Sequence, residues 1–334
     1  MDFNLDETQQ DLRTLAADLL AKEAAPERLE AHERSGLPLD PKLWQALRQA
    51  GLMSVCLPEE SGGAGLGPVE MAVVLREVGA HAAPVPALGT LVSTLAAPRQ
   101  ADIGAVAVRE PGRALADPPA TTAERSGSGW TLTGRKSGVA YAREAEVLVT
   151  ADQGVFAVTA PQGVAEPTST GEPAATLVFE ATPAERVAGP EGVDRLRQLY
   201  TAGVAAQASG VLAGALKLTT EYIRTRRQFD RALAEFQAVT MQIADVYIAG
   251  RALDVAVWSG AWRLAAGLPA EEDLAVAAFH VGEAVKALYT CQHLHGGLGL
   301  DVSYPLHRYF AHAKHLNHLL GGADAQLDLI GALV

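Results

Sequence analysis

The segment Gln292-His293-Leu294-His295-Gly296-Gly297-Leu298-Gly299-Leu300, followed by Tyr304-Pro305-Leu306, decides how the rest of the chain reads. A helical pattern runs into it and stops at the glycines. Glycine lets the backbone bend and approach a neighbour closely, because it has no Cβ. Upstream, a second interruption reads Arg226-Arg227-Gln228-Phe229 and then Glu235-Phe236-Gln237-Ala238. Around these breaks, apolar spacing predicts helices near 194–228, 234–267, 271–294, 304–319 and 324–333. Long helices joined by short loops imply an antiparallel bundle over residues 191–334.

Working back, residues 101–190 change character. Short alternating runs such as Trp130-Thr131-Leu132-Thr133 and Val147-Leu148-Val149 lie between clusters such as Ser126-Gly127-Ser128-Gly129. That pattern predicts a small antiparallel β domain. Residues 1–100 read as helices again. Asp40-Pro41 predicts a helix start, with the aspartate as N-cap and the proline in the first turn. Further helices are expected near 5–20, 68–79 and 87–96. The fold class is therefore mainly α with a central small β domain.

The chain has 334 residues, 49% of them hydrophobic, so burial is ample for two or three packed units. Only 5% are aromatic, so the apolar mass is largely Ala, Leu and Val, which favours helices. The net charge of -12 excludes a broad nucleic-acid surface while leaving room for a local nucleotide pocket. Two cysteines, Cys56 and Cys291, form no metal or disulfide motif. The acidic start lacks a signal-like segment, and no long uncharged apolar stretch predicts a membrane span. A reducing cytoplasm is the expected setting.

The order helical domain, β domain, bundle resembles the acyl-CoA dehydrogenase family. At the N-terminus, Met1-Asp2-Phe3 with Glu7-Thr8-Gln9-Gln10 is similar to that family's opening helix. Trp44-Gln45-Ala46-Leu47, Gly51-Leu52 and Pro58-Glu59-Glu60-Ser61-Gly62-Gly63-Ala64-Gly65 resemble its W-x-x-L, GL and PEExGGxG stretches. The resemblance implies an N-terminal helical domain, a β-barrel-like middle domain and a C-terminal four-helix bundle. It also implies FAD shared between two chains. The flavin ring rests on one subunit, and the bundle of a neighbour grips the adenosine diphosphate end. Arg226, Phe229 and Gln237 match the gripping positions, and a guanidinium suits phosphate oxygens through its forked donors. Gly296 and Gly297 match the family's Q-x-H-G-G-x-G turn. His293 stands at its glutamine position, and an imidazole can still hydrogen-bond phosphate or ribose.

The middle domain departs from the family. Its T-E-P-x-A-G-S-D loop corresponds to Arg109-Glu110-Pro111-Gly112-Arg113-Ala114-Leu115-Ala116-Asp117, which keeps Glu110-Pro111 and loses the hydroxyl residues. In the following G-x-K-x-W-I-T stretch, Gly138 replaces the tryptophan and Ala140 the threonine that face the flavin ring.

The base that removes the α-proton is also missing. Gly321 fills one family position for it, and Tyr200 fills the other. Asp324 is the one nearby acid and reads equally as an N-cap before Ala325-Gln326-Leu327. His307, His312, His315 and His318 cluster in sequence, without the Glu-x-x-His pairs of a di-iron bundle, and no metal is expected. The pattern predicts a subunit that completes the FAD site of a homologous catalytic partner in α,β-desaturation of an acyl-CoA. Some bacterial members of the family, including steroid side-chain dehydrogenases, resemble this as heterotetramers with half the usual flavins. Two alternatives remain at this point: an active homo-oligomer using Asp324, and a scaffold that only stabilises its partner.

Overall fold

A computed structural model describes residues 3–333. Met1 and Asp2, which open the N-terminal resemblance, lie outside the described residues. Five helices come first: α1 (Glu7–Glu23), α2 (Pro26–Ser35), α3 (Pro41–Gln49), α4 (Pro68–Ala80) and α5 (Ala87–Ala96). Asp6 and Gln9 form a reciprocal capping box on α1, at 2.8 and 3.1 Å. Asp40 caps α3 through the amides of Lys42 and Leu43, as the sequence predicted. The short helix α2 was not predicted. Its sequence is mostly charged and contributes one buried side chain, Leu29, so it carries almost no apolar period to read.

Seven strands follow: β1 (Gly104–Ala107), β2 (Thr122–Ser126), β3 (Gly129–Ala140), β4 (Glu146–Ala151), β5 (Gly154–Thr159), β6 (Gly163–Glu166) and β7 (Ala174–Ala188). They form one sheet in the order β1-β4-β5-β7-β3-β2, with β6 also on β7. The long β7 turns the sheet on itself: its first part pairs with β3 and β6, and its last residues pair with β5. The expectation of a purely antiparallel domain is corrected at one place. Strands β1 and β4 are parallel, because the β2–β3 hairpin lies within their crossover.

The C-terminal helices are α6 (Glu191–Thr225), α7 (Gln237–Ala265), α8 (Glu271–His295), α9 (Leu306–Leu319) and α10 (Ala323–Leu333). Helix α6 is the axis of the molecule and packs on α4, α5, α7, α8 and α9. It meets α4 so closely that a Cβ on Gly210 would lie 1.8 Å from the carbonyl oxygen of Arg76. By length and composition α6 could cross a membrane, but its most apolar window is 83% buried inside the protein. Arg76 joins the helices further, pairing with Asp254 of α7 at 3.1 Å and donating to Ser209 of α6 at 3.1 Å.

Candidate functional site

Between α6 and α7 the chain makes a two-stranded hairpin, Arg227–Gln228 against Arg231–Ala232. Its two turn residues, Phe229 and Asp230, both have positive φ, 53° and 62°. Such a turn normally takes glycine or asparagine, because a bulky residue is strained there. Phe229 is nevertheless held there, 87% exposed, with its ring edge-on to Phe236. Strain at an exposed aromatic is characteristic of binding sites. Arg226 and Gln237 flank this hairpin at the end of α6 and the start of α7, and both are exposed. Among the described residues, the Arg226 side chain has no acidic partner. The structure thus places the three residues on one projecting segment.

The glycine turn is tied to the same end of the bundle. Tyr222, one turn before Arg226, stacks on His295 with ring centroids 4.3 Å apart. His295 is buried, with Nδ1 2.8 Å from the Cys291 carbonyl and Nε2 3.2 Å from the Tyr304 hydroxyl. Burial lowers its pKa, so the ring is neutral and acts as a structural strut. It fixes the end of α8, where Gly296 adopts φ 60° and ψ -139°, a conformation open essentially to glycine alone. His293, Gly296 and Gly297 are all exposed at this turn. Tyr222, His295 and Tyr304 as a strut were not singled out from sequence. Tyr304 beside Pro305 and His295 before two glycines were the available signals.

The flavin-ring positions converge on a different place. Gly138, Ala140 and Tyr200 line one cavity between β3, α6 and α9, together with His312, His315 and Leu319. Its volume is about 50 Å³, well below the roughly 300–1,000 Å³ of a small-molecule site. Gly138 has φ 62°, and a Cβ there would stand 3.0 Å from a guanidinium nitrogen of Arg109. Arg109 therefore lies against the position where the family has its tryptophan. It also donates to Nε2 of His318 at 3.3 Å, joining the sheet to α9.

The two family positions for the base behave differently from a carboxylate. Burial pushes the Tyr200 phenol up to about 12, so it stays protonated at neutral pH. Gly321 and Gly322 end α9, their amides donating to the carbonyls of His318 and Asn317 at 3.1 Å. Asp324 lies inside the first turn of α10, exposed, where it suits the helix dipole. It is not the N-cap expected from sequence, because α10 begins one residue earlier, and it lines none of the cavities described here. The acid facing the small cavity is Glu172, which sequence reading passed over in a loop before β7. Burial raises its pKa to about 7, and the Tyr141 hydroxyl donates to it at 3.3 Å.

Below the cavity, the retained Glu110 has become structural. It accepts hydrogen bonds from Lys136 Nζ at 2.7 Å, from the amides of Ala120 and Thr121 at 2.6 and 2.9 Å, and from the Thr121 hydroxyl at 2.7 Å. Burial alone would raise this carboxyl, but these donors outweigh it and hold it at about 2.

Comparison with known proteins agrees with this architecture. Residues 6–110 match the acyl-CoA dehydrogenase N-terminal domain, and residues 201–334 match the acyl-CoA dehydrogenase C-terminal domain. The chain is 40% identical to acyl-CoA dehydrogenase FadE28 of Mycobacterium tuberculosis, over 86% of this chain and 91% of that protein. It is 33% identical to acyl-CoA dehydrogenase FadE27 of the same organism, over 99% and 98%. Among solved structures, the Tcur3481-Tcur3483 steroid ACAD G363A variant superimposes with a TM-score of 0.91 and 36% identity, covering 98% of this chain and 97% of that one. The ChsE4-ChsE5 complex from Mycobacterium tuberculosis gives a TM-score of 0.89 and 33% identity, covering 99% and 98%. With likeness of this extent across all three parts of the fold, the chain belongs to the acyl-CoA dehydrogenase family.

Proposed function

We propose that this chain is the FAD-completing, base-lacking subunit of a heteromeric acyl-CoA dehydrogenase. The observation that carries the reading is the separation of two half-sites along α6. Tyr200 marks the closed ring-side cavity, and Arg226 follows the last turn of the same helix. At 1.5 Å rise per residue, the segment between them spans about 38 Å, beyond the reach of one dinucleotide. The hairpin of Arg226, Phe229 and Gln237, with His293, Gly296 and Gly297, therefore serves a cofactor whose ring rests on another chain. The cofactor fit differs at the two ends. The hairpin offers a guanidinium without an acidic partner among the described residues and an exposed aromatic to an adenosine diphosphate, whereas the ring side offers about 50 Å³, with Gly138 and Ala140 where the family has its tryptophan and threonine.

FAD, when bound, supplies the hydride acceptor for α,β-desaturation of an acyl-CoA thioester. In this reading the partner supplies the carboxylate base and the ring site, and this chain grips the diphosphate. The solved relatives support a paired assembly, since two of them are named as two-component complexes, and one is named a steroid enzyme. A steroid-type acyl-CoA is accordingly the substrate class we assign. The test is flavin stoichiometry. The chain purified alone is expected to be colourless, and the complex co-purified with its partner is expected to carry one FAD per pair. One FAD per chain in the isolated protein overturns the reading.

A further inference from the structure

Helix α7 carries an apolar stripe on its outer face. Met241, Ile248, Val255 and Trp262 stand at every seventh position and are 40% to 62% exposed. Residues seven apart return to nearly the same direction, drifting by about 20° per heptad, so the four share one face of the helix. Large apolar side chains in line, unlike scattered ones, mark a contact surface. The opposite side of α7 is already covered within the chain: Val246, Leu253, Val257, Ala261 and Leu264 are buried, and the helix packs on α4, α6 and α8. We propose that the stripe is where two copies of this chain meet, α7 against α7, antiparallel and centred on Ile248.

Charge selects the occupant. Asp245 and Arg251 flank the stripe, three residues before and three after Ile248, and both are exposed. Among the described residues Asp245 has no ion-pair partner. Arg251 reaches Asp254 at 3.4 Å, a carboxylate that Arg76 already holds at 3.1 Å. A two-fold axis through Ile248 sets Asp245 of each copy level with Arg251 of the other, acid with base at both ends of the contact. A parallel pair would set like charges level. The same axis sets Met241 level with Val255 and Ile248 against itself, so every layer of the seam is apolar. Ala244 and Ala252, four residues either side of Ile248, are small enough to let the two backbones approach. The stripe is thus complementary to itself, which a surface shaped for a different chain need not be. Gln237 opens α7 eleven residues before Ile248, so in the pair the two gripping hairpins lie about 33 Å apart along the seam, at its opposite ends. Both remain free for the cofactor-sharing contact, and the pairing itself does not rest on that reading.

The full chain is tested alone. Ile248→Cys is expected to form a disulfide-linked dimer under mild oxidation, because a residue on the axis meets its own copy within disulfide reach. Cys56 and Cys291 are buried, so the parent gives no crosslink. Met241→Cys alone is expected to stay unlinked, since its two copies lie about 21 Å apart along the seam, whereas a mixture of Met241→Cys and Val255→Cys chains links. Ile248→Asp is expected to keep its helical circular dichroism and to raise the dimer dissociation constant in sedimentation by about thirtyfold or more, the loss of a central apolar anchor. A parent that sediments as a monomer throughout the micromolar range, an Ile248→Cys variant that does not link, or Met241→Cys linking as readily alone as in the mixture overturns the proposal. A monomeric parent whose complex with a catalytic partner is broken by Ile248→Asp assigns the stripe to that partner and overturns it equally. No readout involves flavin, so failure of the flavin-completing reading is distinguishable from failure here.

Discussion

Glu110→Gln tests whether the remnant of the flavin loop now works as a structural clamp. The Lys136 side chain is fully buried, and its ammonium donates to Glu110 at 2.7 Å and to the Thr150 hydroxyl at 2.9 Å. Its donors hold the Glu110 carboxyl at about 2, below the ordinary 4.5, while burial brings the Lys136 ammonium down to about 8. The two effects oppose one another at neutral pH, so the intact pair adds little net stability, and the cost of Glu110→Gln is that of leaving a buried ammonium without its carboxylate. Breaking one side of a buried pair in this way costs about 3–5 kcal/mol. The sign of the acid limb follows from a depressed carboxyl. The carboxyl's own contribution is complete above pH 4.5 and is lost as pH falls through about 2. Urea unfolding at pH 7 is expected to show Glu110→Gln destabilised by about 3 kcal/mol, with a flatter acid limb than the parent. The double variant Glu110→Gln/Lys136→Met, which removes the stranded charge, is expected to recover most of that loss. A cost below about 1 kcal/mol for the single variant, or a double variant no better than the single, refutes the clamp.

In the assembled complex, Arg226→Ala is expected to weaken FAD retention by about tenfold or more, the loss of one charge-assisted phosphate contact; unchanged flavin on gel filtration speaks against the hairpin as a grip. Asp324→Asn is expected to leave desaturation by the complex unchanged, since the side chain is exposed and outside the cavities; a fall of about 10²-fold or more would make it the base. Glu172→Gln tests the half-buried acid. Its folded pKa of about 7 lies above the free value, so stability present below pH 4.5 is lost as pH rises through about 7. The variant is expected to lose less stability than the parent between pH 4.5 and pH 8, and parallel stability profiles would show that the Glu172 carboxyl is not raised in solution.

What the sequence disclosed depended on how local each signal was. Helices α6 to α10 were legible because apolar spacing persists over many turns, with end errors of a few residues where capping decides the boundary. Asp40 and its following proline gave the start of α3 from two adjacent residues. The parallel β1–β4 pair was not legible, because strand direction depends on a crossover that no window of sequence contains. Arg226, Phe229 and Gln237 were proposed through their register alone, and the positive φ of Phe229 and Asp230 is a property of the closed hairpin. The fates of Arg109 and Glu110 were also hidden. Both follow from a fold-back that sets residue 110 under residue 136 and residue 109 against residues 138 and 318. Glu172 has no neighbouring pattern at all, and its perturbed acidity comes wholly from burial.

The two proposed half-sites share α6 but are otherwise held by different elements, so one could be lost without the other. The hairpin is set by the Tyr222–His295 stack and the Tyr304 hydroxyl, all within α6, α8 and the turn after it. The ring side is set by β3, the loop after β1 and α9, held by Arg109 on His318 and by Lys136 on Glu110. Among the described residues, no hydrogen bond or ring contact joins the Tyr222, His295 and Tyr304 set to the Arg109, His318, Lys136 and Glu110 set. In the proposed reading, Gly138 and Ala140 deny a flavin ring its contacts without moving Arg226, Phe229 or Gln237. Substitutions distant in space with no shared partner act additively. Restoring a tryptophan at position 138 would then have to overcome only local obstacles: a positive φ and the Arg109 guanidinium, 3.0 Å from the first atom of the new side chain.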